Sequence, residues 1–364
     1  MIPIFKPYFV KNEKKYIDQC IKTRWISSQG DFILRFERNL AKYHSMKYCV
    51  VTSNCTTALH LSLKALNIKK GDEVICPALT FIAPANMIAL SGASLVLVDV
   101  DKETLTIDPA KIEERITKKT RAIIVVHQFG HSAHMSAIKK IAIKHSLKII
   151  EDNAESLGGK YRKKLLGTIG DITTLSFFAN KIITTGEGGA LLTNNKKVAE
   201  KAMTLRDHGM SKKKKYQHTD LGYNYRMTNM QAAIGLAQLE YLNKINKIRL
   251  DQMKTYYELL GKEKNIELRK FQDWTSPVHW LLTLRIKNKS RTKAINYMMK
   301  NGIECREMIK PVFKANHFSK NFIHDQFKVS QNISKNYFHL PSSTDLTKKE
   351  IKFITDHLIK FCKN

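Results

Sequence analysis

The stretch KIIEDNAESLGG, residues 148–159, begins as a short apolar run and closes on two glycines. Its first part, KIIED (148–152), has the length and composition of a strand buried on both faces. Three similar runs precede it: EVICP (73–77), LVLVDV (95–100) and AIIVV (122–126). Between them lie stretches of helical period, IAPANMIALSG (82–92) and MSAIKKIAIKH (135–145). Strands alternating with helices at this spacing imply right-handed crossovers and a mainly parallel sheet. ITTLSFF (172–178) and GALLT (189–193) continue that sheet. The fold class is therefore α/β.

Upstream, NEKKYIDQCIKT (12–23) and DFILRFERNLAKY (31–43) each gather apolar residues on one helical face. Downstream, a long helix is expected from about Thr228 to Met253. Beyond it, WLLTLRI (280–286) reads as a strand, and TKAINYMMKNG (292–302) and KKEIKFITDHLIKF (348–361) as amphipathic helices. At 364 residues the chain is too long for one simple core. We expect a large domain over 1–250, with the N-terminal helical segment, and a smaller α+β domain over 251–364.

The net charge of +30 invites a nucleic-acid reading. Its distribution argues otherwise. Lysines are spread along polar helix faces, the one dense run is SKKKKY (211–216), and no helix-turn-helix, RRM or zinc-finger pattern accompanies them. No nucleic-acid partner is expected; the positive field suits an anionic substrate. The six cysteines, Cys20, Cys49, Cys55, Cys76, Cys305 and Cys362, show no C-x-x-C spacing, so neither a metal site nor a disulfide framework is expected. There is no run of about 18 apolar residues, hence no expected membrane span. The N-terminal residues lack the pattern of a signal peptide, which points to the cytoplasm.

In open parallel sheets, ligands bind outside the carboxyl ends of strands. That rule selects Asp152, at the expected end of KIIED. Alone, Asp152 reads as well as a helix cap or turn residue. Lys181, in SFFANKIITTGEGG (176–189), gives it a partner after a later strand. An acid and a lysine so placed are the pair that pyridoxal 5′-phosphate needs. The lysine amine binds the aldehyde covalently, and the carboxylate keeps the pyridine nitrogen protonated. The cofactor's phosphate needs backbone donors at a helix start. SNCTTALHLSLKAL (53–66) offers one, and offers equally a plain cap by Ser53 or Asn54. Ser176 adds a hydroxyl, and Phe81 either stacks on the ring or packs in the core.

These segments together resemble the DegT/DnrJ/EryC1/StrS nucleotide-sugar aminotransferases. The likeness runs through TRWISSQGDFILRFE (23–37), SNCTTALHLSLKAL, GDEVICPALTFIAPANMI (71–88) and EDNAESLGG (151–159). It continues through GTIGDITTLSFFANKIITTGEGGALLTN (167–194), LRDHGM (205–210), LGYNYRMTNMQAAIGLAQLE (221–240), GIECR (302–306) and HLPSSTDLT (339–347). The resemblance implies a fold type I, aspartate aminotransferase-like enzyme that uses pyridoxal 5′-phosphate. It implies that Lys181 carries the cofactor and Asp152 meets the pyridine nitrogen. Glu155 takes the position, commonly glutamine or histidine, beside the phenolic oxygen. Ser176 and the backbone of Cys55 and Thr56 hold the phosphate, and Asn224 reaches it from a second subunit, so a homodimer with shared active sites is implied. The implied substrates are L-glutamate and a nucleotide-linked 4-keto-6-deoxy sugar. NEKKYI, RWISSQG, SFFANKIITTGEGG and GYNYRMTNMQAAIGLAQLE favour members acting on a GDP-linked sugar over UDP- or dTDP-linked ones. Relatives that deoxygenate at C3 carry histidine where this chain has Lys181.

Two departures stand out. Family members commonly have glycine or alanine at Cys55, which implies either a strained backbone or merely a larger side chain. Many read PLH where this chain reads PVF (311–313), a loop that bears on substrate recognition.

Overall fold

The computed structural model describes residues 1–211, 213–214 and 216–363. Helices α1 (Asn12–Thr23) and α2 (Asp31–Tyr43) come first, then β1 (Tyr48–Thr52) and α3 (Cys55–Ala65). β2 (Glu73–Pro77), α4 (Ala83–Leu90), β3 (Ser94–Val98), β4 (Thr120–Val126), α5 (Met135–Lys144) and β5 (Lys148–Asp152) follow. A short hairpin, β6 (Lys160–Tyr161) and β7 (Lys164–Leu165), leads to β8 (Ile172–Ser176), β9 (Gly189–Thr193) and α6 (Lys196–Arg206).

Seven of these strands form one sheet in the order β1-β9-β8-β5-β4-β2-β3. The run from β3 to β8 is parallel, whereas β9 pairs antiparallel with both β8 and β1. The chain between β8 and β9 contains no α-helix to carry it back across the sheet, so β9 returns beside β8 in the opposite direction. That return connection carries Lys181 at the carboxyl end of the parallel strands. Both faces of the sheet are buried. On β4, Ala122, Ile124 and Val126 join one apolar cluster and Ile123 and Val125 another. Strand β1 was absent from the reading of the sequence; it is a five-residue run on the sheet's edge.

The expected long helix is two helices, α7 (Asn229–Glu240) and α8 (Leu242–Leu260). They break at Tyr241, whose φ of −109° and ψ of 4° leave the helical region. The remaining elements are β10 (Ile266–Leu268), β11 (Thr275–Ser276), β12 (Leu282–Ile286), α9 (Arg291–Lys300), β13 (Arg306–Glu307), α10 (Lys328–Asn336), β14 (Tyr337–Leu340) and α11 (Lys348–Lys363). An antiparallel sheet, β10-β12-β14-β13, packs on Tyr256 and Leu260 of α8, Met298 of α9 and Ile354 and Leu358 of α11. Strand β11 instead pairs with β6. Residue 250 falls inside α8, and Ile2 bridges to Ile303 beside the small sheet. Among the described residues no helix is long and apolar enough to cross a membrane.

Candidate active site

Asp152 is the last residue of β5 and is buried. Its Oδ1 accepts the Ala154 N–H at 3.1 Å, which fixes the carboxyl at the start of the following turn. Burial pushes this carboxyl up, opposed by the Ala154 hydrogen bond and by the charges of Lys181 and His127. Glu155, one turn on, is buried too. One of its oxygens accepts the Phe129 N–H at 2.7 Å, and the other lies 3.9 Å from Lys181 Nζ. Burial lifts Glu155 to about 7, against the pull of Lys181 and the Phe129 bond. The backbone N–H of Lys181 donates to Phe178 at 2.9 Å, closing the turn that presents its side chain. Asp152 and Glu155, both buried, and the half-buried Lys181 thus form one cluster at the carboxyl ends of β5 and β8.

The start of α3 adjoins this cluster. Asn54 caps the helix by accepting the Thr57 N–H at 2.9 Å, and Thr57 returns a contact to the Asn54 N–H. The backbone N–H groups of Cys55 and Thr56 have no acceptor among the described residues. Gly189 leaves room beside them: a Cβ there would come within 2.5 Å of the Cys55 nitrogen. Cys55 does not occupy the left-handed region, so of the two alternatives only the larger side chain applies. Its thiol is buried, and burial together with the Asp152 charge pushes its pKa well up; the Thr174 hydroxyl lies beside it.

Two buried polar atoms, Thr80 Oγ1 and Asn180 Oδ1, have no hydrogen-bond partner among the described residues. Thr80 precedes Phe81, and Asn180 precedes Lys181. Buried hydroxyls and amides are rarely left unmatched. The unmatched atoms, the open helix start and the acid–lysine pair fit a phosphorylated pyridine aldehyde.

The other sequence-selected residues fall as follows. Phe81 is 61% exposed, so it does not pack in the core. Ser176 ends β8, half-buried, with only a long 3.4 Å contact from the Phe178 N–H. Asn224 is exposed, accepts the Arg226 Nε–H at 3.0 Å and makes no contact with Asp152 or Lys181 of its own chain. Its neighbour Tyr225 accepts the Ser53 N–H at 2.9 Å, beside the start of α3. In PVF, Phe313 is fully buried and stacks on Phe327 at 4.8 Å, so this side chain serves the core.

Two features escaped the reading of the sequence. His127 follows β4, and its Nε2 lies 2.9 Å from Glu151, with both side chains fully buried. Burial alone would raise Glu151, but His127 and the N–H groups of Gly170 and Gly167 outweigh it and hold the carboxyl low. Trp280 lies with its ring centroid 4.2 Å from Lys181 Nζ. The strand-end rule that selected Asp152 applies equally to HQFG after β4 and would have found His127. Nothing local marks Trp280, which arrives from far along the chain.

Comparisons agree with a pyridoxal-phosphate aminotransferase site. The profile of the DegT/DnrJ/EryC1/StrS aminotransferase family matches residues 7–359. GDP-perosamine synthase of Caulobacter vibrioides is 41% identical over 357 residues, 96% of this chain and 95% of that protein. GDP-perosamine synthase of Escherichia coli O157:H7 is 36% identical over 363 residues, covering 99% and 98%. The dTDP-3-amino-3,6-dideoxy-alpha-D-galactopyranose transaminase of Aneurinibacillus thermoaerophilus is 34% identical over 355 residues, covering 97% and 96%. Among solved structures, the putative sugar aminotransferase Spr1654 from Streptococcus pneumoniae matches with a TM-score of 0.95 at 26% identity, covering 100% of this chain and 98% of that one; it is known in PLP and PMP forms. The chain belongs to the DegT/DnrJ/EryC1/StrS aminotransferase family. It is a nucleotide-sugar aminotransferase, and pyridoxal 5′-phosphate is its cofactor.

Proposed function

We propose that this enzyme moves the amino group of L-glutamate to C4 of GDP-4-keto-6-deoxymannose, giving GDP-perosamine and 2-oxoglutarate. The observation that carries the substrate is the 41% identity to the Caulobacter vibrioides GDP-perosamine synthase across nearly the whole chain. The Asp152–Glu155–Lys181 cluster supports the chemistry.

When bound, the cofactor supplies an aldehyde that takes an amine and a ring that accepts an electron pair. In our reading Lys181 is the amine that binds it. When not joined to the cofactor, that amine would take a proton from the substrate carbon as base and return it as acid. Asp152 holds the proton on the pyridine nitrogen. Glu155 would face the cofactor's phenolic oxygen, and Phe81 would cover its ring. The open N–H groups of Cys55 and Thr56, with the Ser176 hydroxyl, bind the phosphate. Asn224, exposed and apart from its own cluster, completes the phosphate site of the partner in a homodimer. Over the whole cycle the keto oxygen of the sugar and the amino group of glutamate change places, so the reaction balances without a further reactant.

We place the enzyme in the cytoplasm, supplying amino sugar for lipopolysaccharide O-antigen, and divide the chain into 1–250 and 251–364 with α8 as the shared element. The dTDP-sugar relative supports a second reading, amination of a UDP- or dTDP-linked keto sugar. An amine-transfer assay with glutamate and a panel of GDP-, UDP- and dTDP-linked 4-keto-6-deoxy sugars decides between them. Product from the GDP sugar alone is expected. Product only from UDP- or dTDP-sugars would overturn the GDP assignment and leave the enzyme class standing.

A further inference from the structure

Lys181 Nζ lies 3.9 Å from Glu155 and over the face of Trp280, with the ring centroid at 4.2 Å. The indole is held from several directions. Its Nε1–H donates to the Asn180 carbonyl at 2.7 Å, next to Lys181 itself. Its own carbonyl accepts Arg249 Nη2 at 2.6 Å, and Arg249 is fully buried. The ring runs parallel to Phe129, 3° between planes at 6.0 Å between centroids. Val278, two residues back, donates its N–H to Gly130 at 3.1 Å. Gly130 has a φ of +85°, and a Cβ there would fall 1.7 Å from the Val278 oxygen, so only glycine permits this seam. Trp280 is buried, and its ring cannot swing away without breaking these contacts.

A cation over an indole face is attracted by the ring quadrupole, more strongly where water is excluded. We propose that Trp280 is the resting platform of the Lys181 amine whenever that amine is not bound to the cofactor, and so favours its displacement by the amino donor. This rests on Lys181 being the cofactor-binding lysine of the proposed function. Trp280 is a positioning residue: it stabilises the released lysine cation, while Glu155 lies 3.9 Å from the same nitrogen.

The proposal makes an asymmetric prediction. Weakening the platform disfavours the free-lysine state alone. Glutamate should then displace the lysine less readily, while the resting protein should hold pyridoxal 5′-phosphate more tightly. Loss of mere packing would weaken both. The chain has three tryptophans, and among the described contacts only Trp280 lies against Lys181. Protein grown with fluorinated tryptophan therefore keeps the shape of the site while draining the ring face of negative charge. In Trp280→Leu, the glutamate concentration that halves the visible absorbance of the lysine-bound cofactor should rise about 3- to 30-fold. The fluorinated protein should shift in the same direction by a smaller factor. The cofactor dissociation constant, measured on cofactor-free protein titrated with pyridoxal 5′-phosphate, should fall in both.

An unchanged half-bleaching concentration in the fluorinated protein, or a cofactor held no more tightly in it, overturns the proposal even if Trp280→Leu does not fold. If wild-type absorbance ignores glutamate altogether, the donor assignment fails instead. The cofactor affinity of the fluorinated protein then decides alone: tightening supports the platform, and no change or loosening refutes it.

Discussion

The Lys181 amine and the Glu155 carboxyl lie 3.9 Å apart, inside a wall formed by residues distant in the chain. The second Glu155 oxygen takes the Phe129 N–H at 2.7 Å, so the carboxyl cannot turn away from the lysine without losing a buried hydrogen bond. Glu155 thus touches both the turn after β4 and the lysine turn.

That arrangement has a consequence for pH. Burial raises the folded-state pKa of Glu155 to about 7 from an ordinary 4.5. Between these values the folded protein holds a proton that the unfolded chain has lost, so the Glu155 contribution to stability falls as pH rises through this window. Glutamine keeps the hydrogen bond and cannot ionise. Cofactor-free Glu155→Gln should therefore lose less melting temperature between pH 5 and pH 8 than the wild type, in paired thermal scans. Parallel curves would contradict the assignment.

Asp152 accepts the Ala154 N–H, and an asparagine oxygen can do the same. Asp152→Asn should fold normally, but it removes the charge proposed to keep the pyridine nitrogen protonated. A loss of about 100-fold or more in turnover is expected, the scale of losing one preorganised electrostatic contact to the reacting group. Steady-state kinetics beside a melting curve separates the two effects.

His127 and Glu151 are a fully buried pair whose carboxylate also takes the Gly167 N–H at 2.9 Å and the Ile169 N–H at 2.7 Å. Removing the histidine leaves a buried charge held only by backbone donors. His127→Leu should cost about 3 kcal/mol, at the low end for a broken buried pair because those donors remain. Urea unfolding of cofactor-free protein measures it.

Cys55 tests the meaning of an unusual residue. Its backbone is not left-handed, so glycine relieves no strain there. Cys55→Gly should lower stability by about 1 kcal/mol through the greater freedom of the unfolded chain. A gain in the denaturation midpoint would show that the position is strained after all.

Much of this architecture was legible from local pattern. The strands EVICP, KIIED and GALLT and the helices over 12–23 and 31–43 occupy the spans that periodicity assigns them. Local pattern failed where a neighbour in space sets the conformation. The helix break at Tyr241 has no proline or glycine to announce it. The antiparallel return of β9 depends on pairing rather than composition. At the site, Asp152 and Lys181 follow from the strand-end rule and their chemistry. Phe313 lies in a loop that the resemblance led us to expect near the substrate, yet burial turns its side chain into the core. Trp280 is invisible to any local rule, because its value lies in a contact across 99 positions of sequence.

The central claim is that the cofactor is joined to the chain at Lys181. Borohydride reduction of the loaded protein, followed by proteolysis and mass spectrometry, tests it directly. The reduced cofactor should appear on the peptide containing Lys181, and Lys181→Ala should give no labelled peptide and no visible absorbance. A label on another lysine, or a coloured and active Lys181→Ala protein, would contradict the account.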